Sequence, residues 1–198
     1  MVALNEQLEM ERCPHCSVAR PVLNKVFEQV TKNHSGQNKR SWRVYKCSSC
    51  GGLITACAQD YNVAVTTVFP EPIAVEEEIP ERPRAYLQQA IDSVFTPAGS
   101  IMLCASSVDA MLKLKGYKDG SLYQRIEKAS KDGLITAEMS KWAHEVRLDA
   151  NDQRHADENA DLPSENDARK AIDFVKALAQ FLFVLPAHVK RGLEEAAK

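Results

Sequence analysis

Two short cysteine motifs constrain this chain more than any other feature. Cys13 and Cys16 stand in RCPHC, Cys47 and Cys50 in KCSSCGG, with 30 residues between the pairs. A two-residue gap lets two thiolates approach one cation from a tight turn. Two such knuckles brought together supply four sulfurs in the tetrahedral arrangement that zinc favours. Six cysteines in 198 residues are too few for a disulfide scaffold, and this spacing argues for metal rather than disulfide. The expectation is one structural Zn2+ per chain held by Cys13, Cys16, Cys47 and Cys50. Four protein sulfurs leave no position open for water, so the metal would fold a small module and not catalyse. Gly51 and Gly52 follow the second knuckle, where a positive φ is often needed. His15, inside the first knuckle, reads either as a substitute ligand or as a neighbour of the site. Residues 41–47 and 53–58 read as strands around the second knuckle, with a helix and hairpin filling the spacer. Cys57 and Cys104 read as buried small apolar residues.

Charge and punctuation divide the rest. Residues 12–56 carry eight Lys or Arg against the single acid Glu28, and residues 71–81 carry five Glu and no base. A basic N-terminal module, in which Lys39, Arg40 and Arg43 are the candidate contacts to RNA or DNA, is therefore followed by an acidic strip. Prolines 70, 72, 80 and 83 block helix and favour an extended spacer. The expected layout is a zinc ribbon over 1–60, an extended Pro/Glu-rich linker over 61–82 and an α-helical domain over 83–198.

Helix signals in the last part come in order. Pro83 suits a first helical position, Thr96-Pro97 an N-cap and N1, Ser121 and Thr136 further N-caps, and Gly116 and Gly133 the ends. Ser164 and Asp167 form a variant capping box opening a helix that should end at Pro186, with a terminal helix over 188–197. The fold class is mainly α, a bundle of five or six helices with a small β-rich ribbon. With 44% hydrophobic residues the core is adequate. No run of 18 apolar residues and no signal-type leader are present, so the expectation is a cytoplasmic protein without a membrane span.

The segment WAHEVRLDANDQRHAD (142–157) carries the most chemistry. On a helix, Arg147, Asn151 and His155 stand at i, i+4 and i+8, within about 80° of one another. Met139, Trp142, Ala143 and Val146 form the packed side, so the polar set points outward or into an interface. Arg, Asn and His together suit metal-free RNA cleavage. His155 would take the 2′-hydroxyl proton, Arg147 would hold the phosphate, and Asn151 would orient one of them. On the alternative reading Arg147 pairs with Asp149 or Asp152 on a solvated face. Arg154 competes for the phosphate.

This segment resembles the HEPN superfamily, in particular its zinc-ribbon-fused domain of unknown function found with restriction and other prokaryotic defence genes. The resemblance rests on Trp142-Ala143-His144, Arg147, Asn151 and His155, on the CPHC and CSSCG knuckles, and on the Pro-rich connector. Ala150 occupies the place where the familiar motif has Arg, and Arg147 stands one turn earlier. The resemblance implies an all-α HEPN-like bundle that forms a homodimer with motif helices facing across the interface. It also implies a metal-independent endoribonuclease of a defence or toxin system that leaves 2′,3′-cyclic phosphate ends. The alternative is a non-catalytic module binding a defence-system partner protein or nucleic acid.

Overall fold

The computed structural model describes residues 2–71, 75–155 and 161–197. It divides into two compact units, Met1–Ile73 and Ala74–Lys198.

The N-terminal unit is an antiparallel meander of four strands in sequential order: β1 (Leu23–Thr31), β2 (Arg40–Cys47), β3 (Leu53–Ala58) and β4 (Thr67–Phe69). Alternation along β2 sets the two faces. Ser41, Arg43, Tyr45 and Cys47 are buried, and Arg40, Trp42, Val44 and Lys46 point the other way. The inner face packs on Leu4, Leu8, Leu23, Ile54 and Ala56. Leu4 and Leu8 come from the N-terminal segment, which the backbone anchors through Leu4 N–H to the Val63 carbonyl at 2.9 Å and Asn62 N–H to the Leu4 carbonyl at 3.1 Å. The spacer between knuckles therefore holds a long strand, β1, paired in a hairpin with β2, and not the expected helix. The segment assigned to the linker is likewise divided. Its first part supplies β4, and Val75 and Ile79 are buried in the core of the other unit.

The C-terminal unit has six α-helices among the described residues: α1 (Glu81–Asp92), α2 (Pro97–Leu114), α3 (Leu122–Lys131), α4 (Ala137–His155), α5 (Glu165–Ala179) and α6 (Leu185–Ala196). Helix α1 begins two residues before Pro83, which lies in its first turn, where no N–H is required. Ser121 and Ser164 make complete capping boxes with Gln124 and Asp167. Thr136 Oγ1 accepts from the Met139 N–H at 3.2 Å. Leu87, Ile101, Val108, Met111, Ile126, Val146, Phe174 and Leu178 form the core. Two buried serines tie α2 to α1, Ser100 donating to the Ala90 carbonyl at 2.8 Å and Ser107 to that of Pro83 at 2.9 Å.

Two expectations fail here. Trp142 lies at the exposed edge of α4, leaning on Phe174 with ring centroids 5.0 Å apart. Pro186 does not end its helix. A π-helical turn over Gln180–Val184, with the Leu185 N–H reaching back to Gln180, widens the backbone ahead of it. That turn absorbs the clash and missing donor a proline imposes. The fused helix Glu165–Ala196 spans 32 residues and is long and apolar enough, by length and composition, to cross a bilayer. Its first half is a core helix, with Ala171, Phe174, Val175 and Leu178 buried in the bundle.

Candidate functional site

The knuckles meet at one end of the ribbon's sheet, where Leu23 at the start of β1 pairs with Cys47 at the end of β2. In the first, the Ser17 N–H closes a turn on the Cys13 carbonyl at 2.9 Å. In the second, the Gly51 N–H does the same on the Cys47 carbonyl, also at 2.9 Å. Gly51 takes a φ of 75°, in the left-handed region that glycine enters without strain. The Gly52 N–H then points at the Cys50 Sγ, 3.4 Å away. The Sγ atoms of Cys13, Cys16, Cys47 and Cys50 all lie within 4.8 Å of one another, and those of Cys13 and Cys50 are 3.9 Å apart. A tetrahedron with metal–sulfur bonds of about 2.3 Å has edges of about 3.8 Å, so the cluster matches a four-thiolate ion site.

The thiols are electrostatically unequal. Burial raises the Cys13 pKa, and burial with two neighbouring thiols pushes Cys16 up to about 12. At Cys47 burial acts in the same direction but is outweighed. The N–H groups of Cys50 and Ser49, with the thiols of Cys13 and Cys50, bring it down to about 7. Cys47 thus ionises ahead of Cys13 and Cys16. His15 is a brace, not a ligand: its Nε2 meets the Leu53 carbonyl at 2.8 Å. A Cβ on Gly52 would stand 2.5 Å from its ring, which explains the second glycine by close approach.

On the helical unit, α4 places Arg147, Asn151 and Arg154 along one wall of an open groove of about 560 Å³. Helix α2 supplies Met102, Ser106 and Asp109, and the start of α3 supplies Tyr123 and Arg125. Asp109 is occupied by Arg125 and Lys113. Arg147 makes no ion pair and no hydrogen bond among the described residues. Its Nε is buried without an acceptor, and its guanidinium carbon lies 5.4 Å from the Tyr123 ring centroid. The expected alternative pairing with Asp149 or Asp152 is not formed. The Asp149 carboxyl is instead pushed above its ordinary range by partial burial and by Glu145 and Asp152. Arg154 donates to Asn151 Oδ1 at 3.4 Å and meets His155 Nε2 at 3.3 Å. His155 is exposed and does not line the groove, so the structure brings Arg147 and Asn151 together and leaves the proposed base at the rim. His144 donates to Glu127 at 2.9 Å and rests on Tyr123, ring centroids 4.8 Å apart. Tyr123, Arg125 and Asp109 escaped sequence reasoning because they reach the groove from other helices and share no local motif with α4.

Residues 88–196, more than half of the chain and all of α2 to α6, match the family described as Domain of unknown function (DUF4145). The chain belongs to that family. No curated protein and no solved structure matches it. The groove lies wholly inside the DUF4145 region and the four cysteines lie outside it. So do the three candidate nucleic-acid contacts, and the structure separates them. Arg40 is exposed, and Lys39 is held by Asp60 at 2.7 Å. Arg43, only 6% exposed, is withdrawn from any surface role. It donates to Glu28 at 3.0 Å, to Glu6 at 2.9 Å and to the Leu4 carbonyl at 3.0 Å, and its guanidinium covers Tyr61 at 4.4 Å. The basic run of residues 12–56 is thus partly neutralised by acids outside it.

Proposed function

We propose that this DUF4145 protein is a metal-independent endoribonuclease of a prokaryotic defence or toxin system, cytoplasmic and HEPN-like, with a ribbon folded around one structural Zn2+. The observation that carries the reading is Arg147, a guanidinium with a buried Nε and no anion among the described residues, in a groove that also holds Arg154 and Asn151. An uncompensated cation in a partly desolvated groove favours a phosphate, and a planar guanidinium binds it through paired N–H donors. Arg147 holds the phosphate, with Arg154 beside it, and Asn151 orients the ribose or phosphate. His155 takes the 2′-hydroxyl proton. The 2′-oxygen then attacks phosphorus, the 5′-oxygen leaves and takes a proton from water, and a 2′,3′-cyclic phosphate remains. A homodimer with α4 at its interface brings His155 toward a partner's groove.

Purified protein incubated with mixed cellular RNA and no divalent metal tests this. Wild type should yield cyclic-phosphate ends. Arg147→Gln should slow cleavage by about 10²–10³-fold, and His155→Ala should abolish it while leaving folding and association intact. Intact RNA with folded wild type refutes the enzyme. One observation favours a second reading: His155 does not line the groove. A groove that holds phosphate without a base is a binding module, and it would retain RNA without cutting it.

A further inference from the structure

We propose that the open face of the ribbon's sheet is a binding platform for single-stranded nucleic acid, centred on Phe27, Trp42 and Phe69. This goes beyond the cleavage reading and stands on the N-terminal unit alone.

The face follows from the register. Phe27 is opposite Val44, Val44 opposite Thr55 and Thr55 opposite Phe69, so these four residues form one row across all four strands. The next row is Gln29, Trp42, Cys57 and Thr67. Strand spacing places Phe27 and Phe69 about 14 Å apart, with Trp42 about 7 Å along the strands between them. Phe27 is 55% exposed and Phe69 49%, on a face turned away from the unit's core. Trp42 is held by its indole N–H, which donates to Thr31 Oγ1 at 2.9 Å.

Charge selects the occupant. Arg40 and Lys46 project from the two ends of β2 on this face, and neither has an ion-pair partner among the described residues. No carboxylate stands on it within the four strands: Glu28 of β1 faces the other way, bonded to Arg43 and Lys25. Three separated aromatic rings bounded by two cations that are unpaired among the described residues, with no acid of the four strands among them, suit a polyanion whose flat bases are unstacked. Bases stack on the rings and the backbone runs past the cations, a mode that accommodates two or three bases on a four-stranded sheet. A duplex, its bases buried, has nothing to offer the rings.

The test uses the full zinc-loaded chain carrying Trp142→Phe, which leaves Trp42 as the sole tryptophan, and His155→Ala, which removes the proposed cleavage from the readout. Single-stranded oligouridylate should quench Trp42 saturably. Phe27→Ala and Phe69→Ala, both at exposed positions, should each weaken binding about tenfold with zinc content and melting unchanged. Two neutralised phosphates predict a slope of about −1.4 in log affinity against log salt. Oligothymidylate tells stacking alone from 2′-hydroxyl recognition: equal binding or a preference for RNA both support the platform. Absence of quenching, equal binding of duplex RNA, or indifference to both Phe variants overturns it. So does a dimer that dissociates with the Phe variants while no oligonucleotide binds, which would make a second copy the occupant.

Discussion

Arg43→Met separates a structural arginine from a nucleic-acid contact. The substitution keeps an unbranched apolar side chain at this buried position and removes all guanidinium donors. The bond to the Leu4 carbonyl is charge-assisted and buried; such bonds contribute about 1.5–3 kcal/mol. The loss lies toward the lower end because that carbonyl still accepts from the Asn62 N–H at 3.1 Å. Losing the cation over Tyr61 adds about 0.5–1 kcal/mol. The carboxylates of Glu6 and Glu28 face solvent and rehydrate, so their release adds little. The expected destabilisation is about 2–3 kcal/mol, or roughly 10–20 °C in the melting midpoint of a domain this small. Trp42 fluorescence in the zinc-loaded Trp142→Phe chain reports that transition, and Arg40→Met should move it by no more than about 0.5 kcal/mol. A midpoint unchanged in Arg43→Met, with RNA affinity lost, would refute the structural role and return Arg43 to the binding surface.

Zinc uptake should release protons, because Cys13 and Cys16 are held protonated at neutral pH and must ionise to bind. Apparent affinity should therefore rise with pH and fall faster below about 7, where Cys47 also protonates; a competition titration from pH 6 to 8 that is flat would contradict this. Gly52→Ala should cost about 1–2 kcal/mol by displacing His15 from the Leu53 carbonyl. In a double-mutant cycle the cost should largely vanish in a His15→Ala background; an equal cost in both would mean the clash lies elsewhere.

Local chemistry was legible in the sequence, and distant partnership was not. The capping residues Thr136, Ser121 and Ser164 were readable because their partners sit three residues on. The cysteine quartet was readable because metal geometry dictates spacing within each knuckle. Arg43 reads as a surface cation in the sequence because groups that hold it, Leu4 and Glu6, stand far away in the chain and are brought in by the N-terminal segment. The hairpin in the spacer is expected, but the bounds of β1 are not legible because its apolar residues do not alternate cleanly: a bulge between Lys25 and Phe27 shifts the register, and most of the strand is exposed. Pro186 reads as a stop in the sequence because a one-residue rule does not anticipate a π turn that makes room for it. On α4 the helical spacing of Arg147 and Asn151 was sound, but whether His155 shares their groove depends on walls built by α2 and α3.

The manner in which the ribbon is closed decides where it can be cut. Its first strand-like residues, Val2 to Leu4, are stitched to residues 63–65, and its fourth strand lies beyond Tyr61. A fragment trimmed to the cysteine motifs, from Arg12 to Asp60, would keep all four clustered cysteines and lose Leu4, Leu8 and β4. Such a peptide would hold its ion on an open, half-built scaffold, and its failure to fold would say nothing about the metal. The piece to excise runs to Ile73.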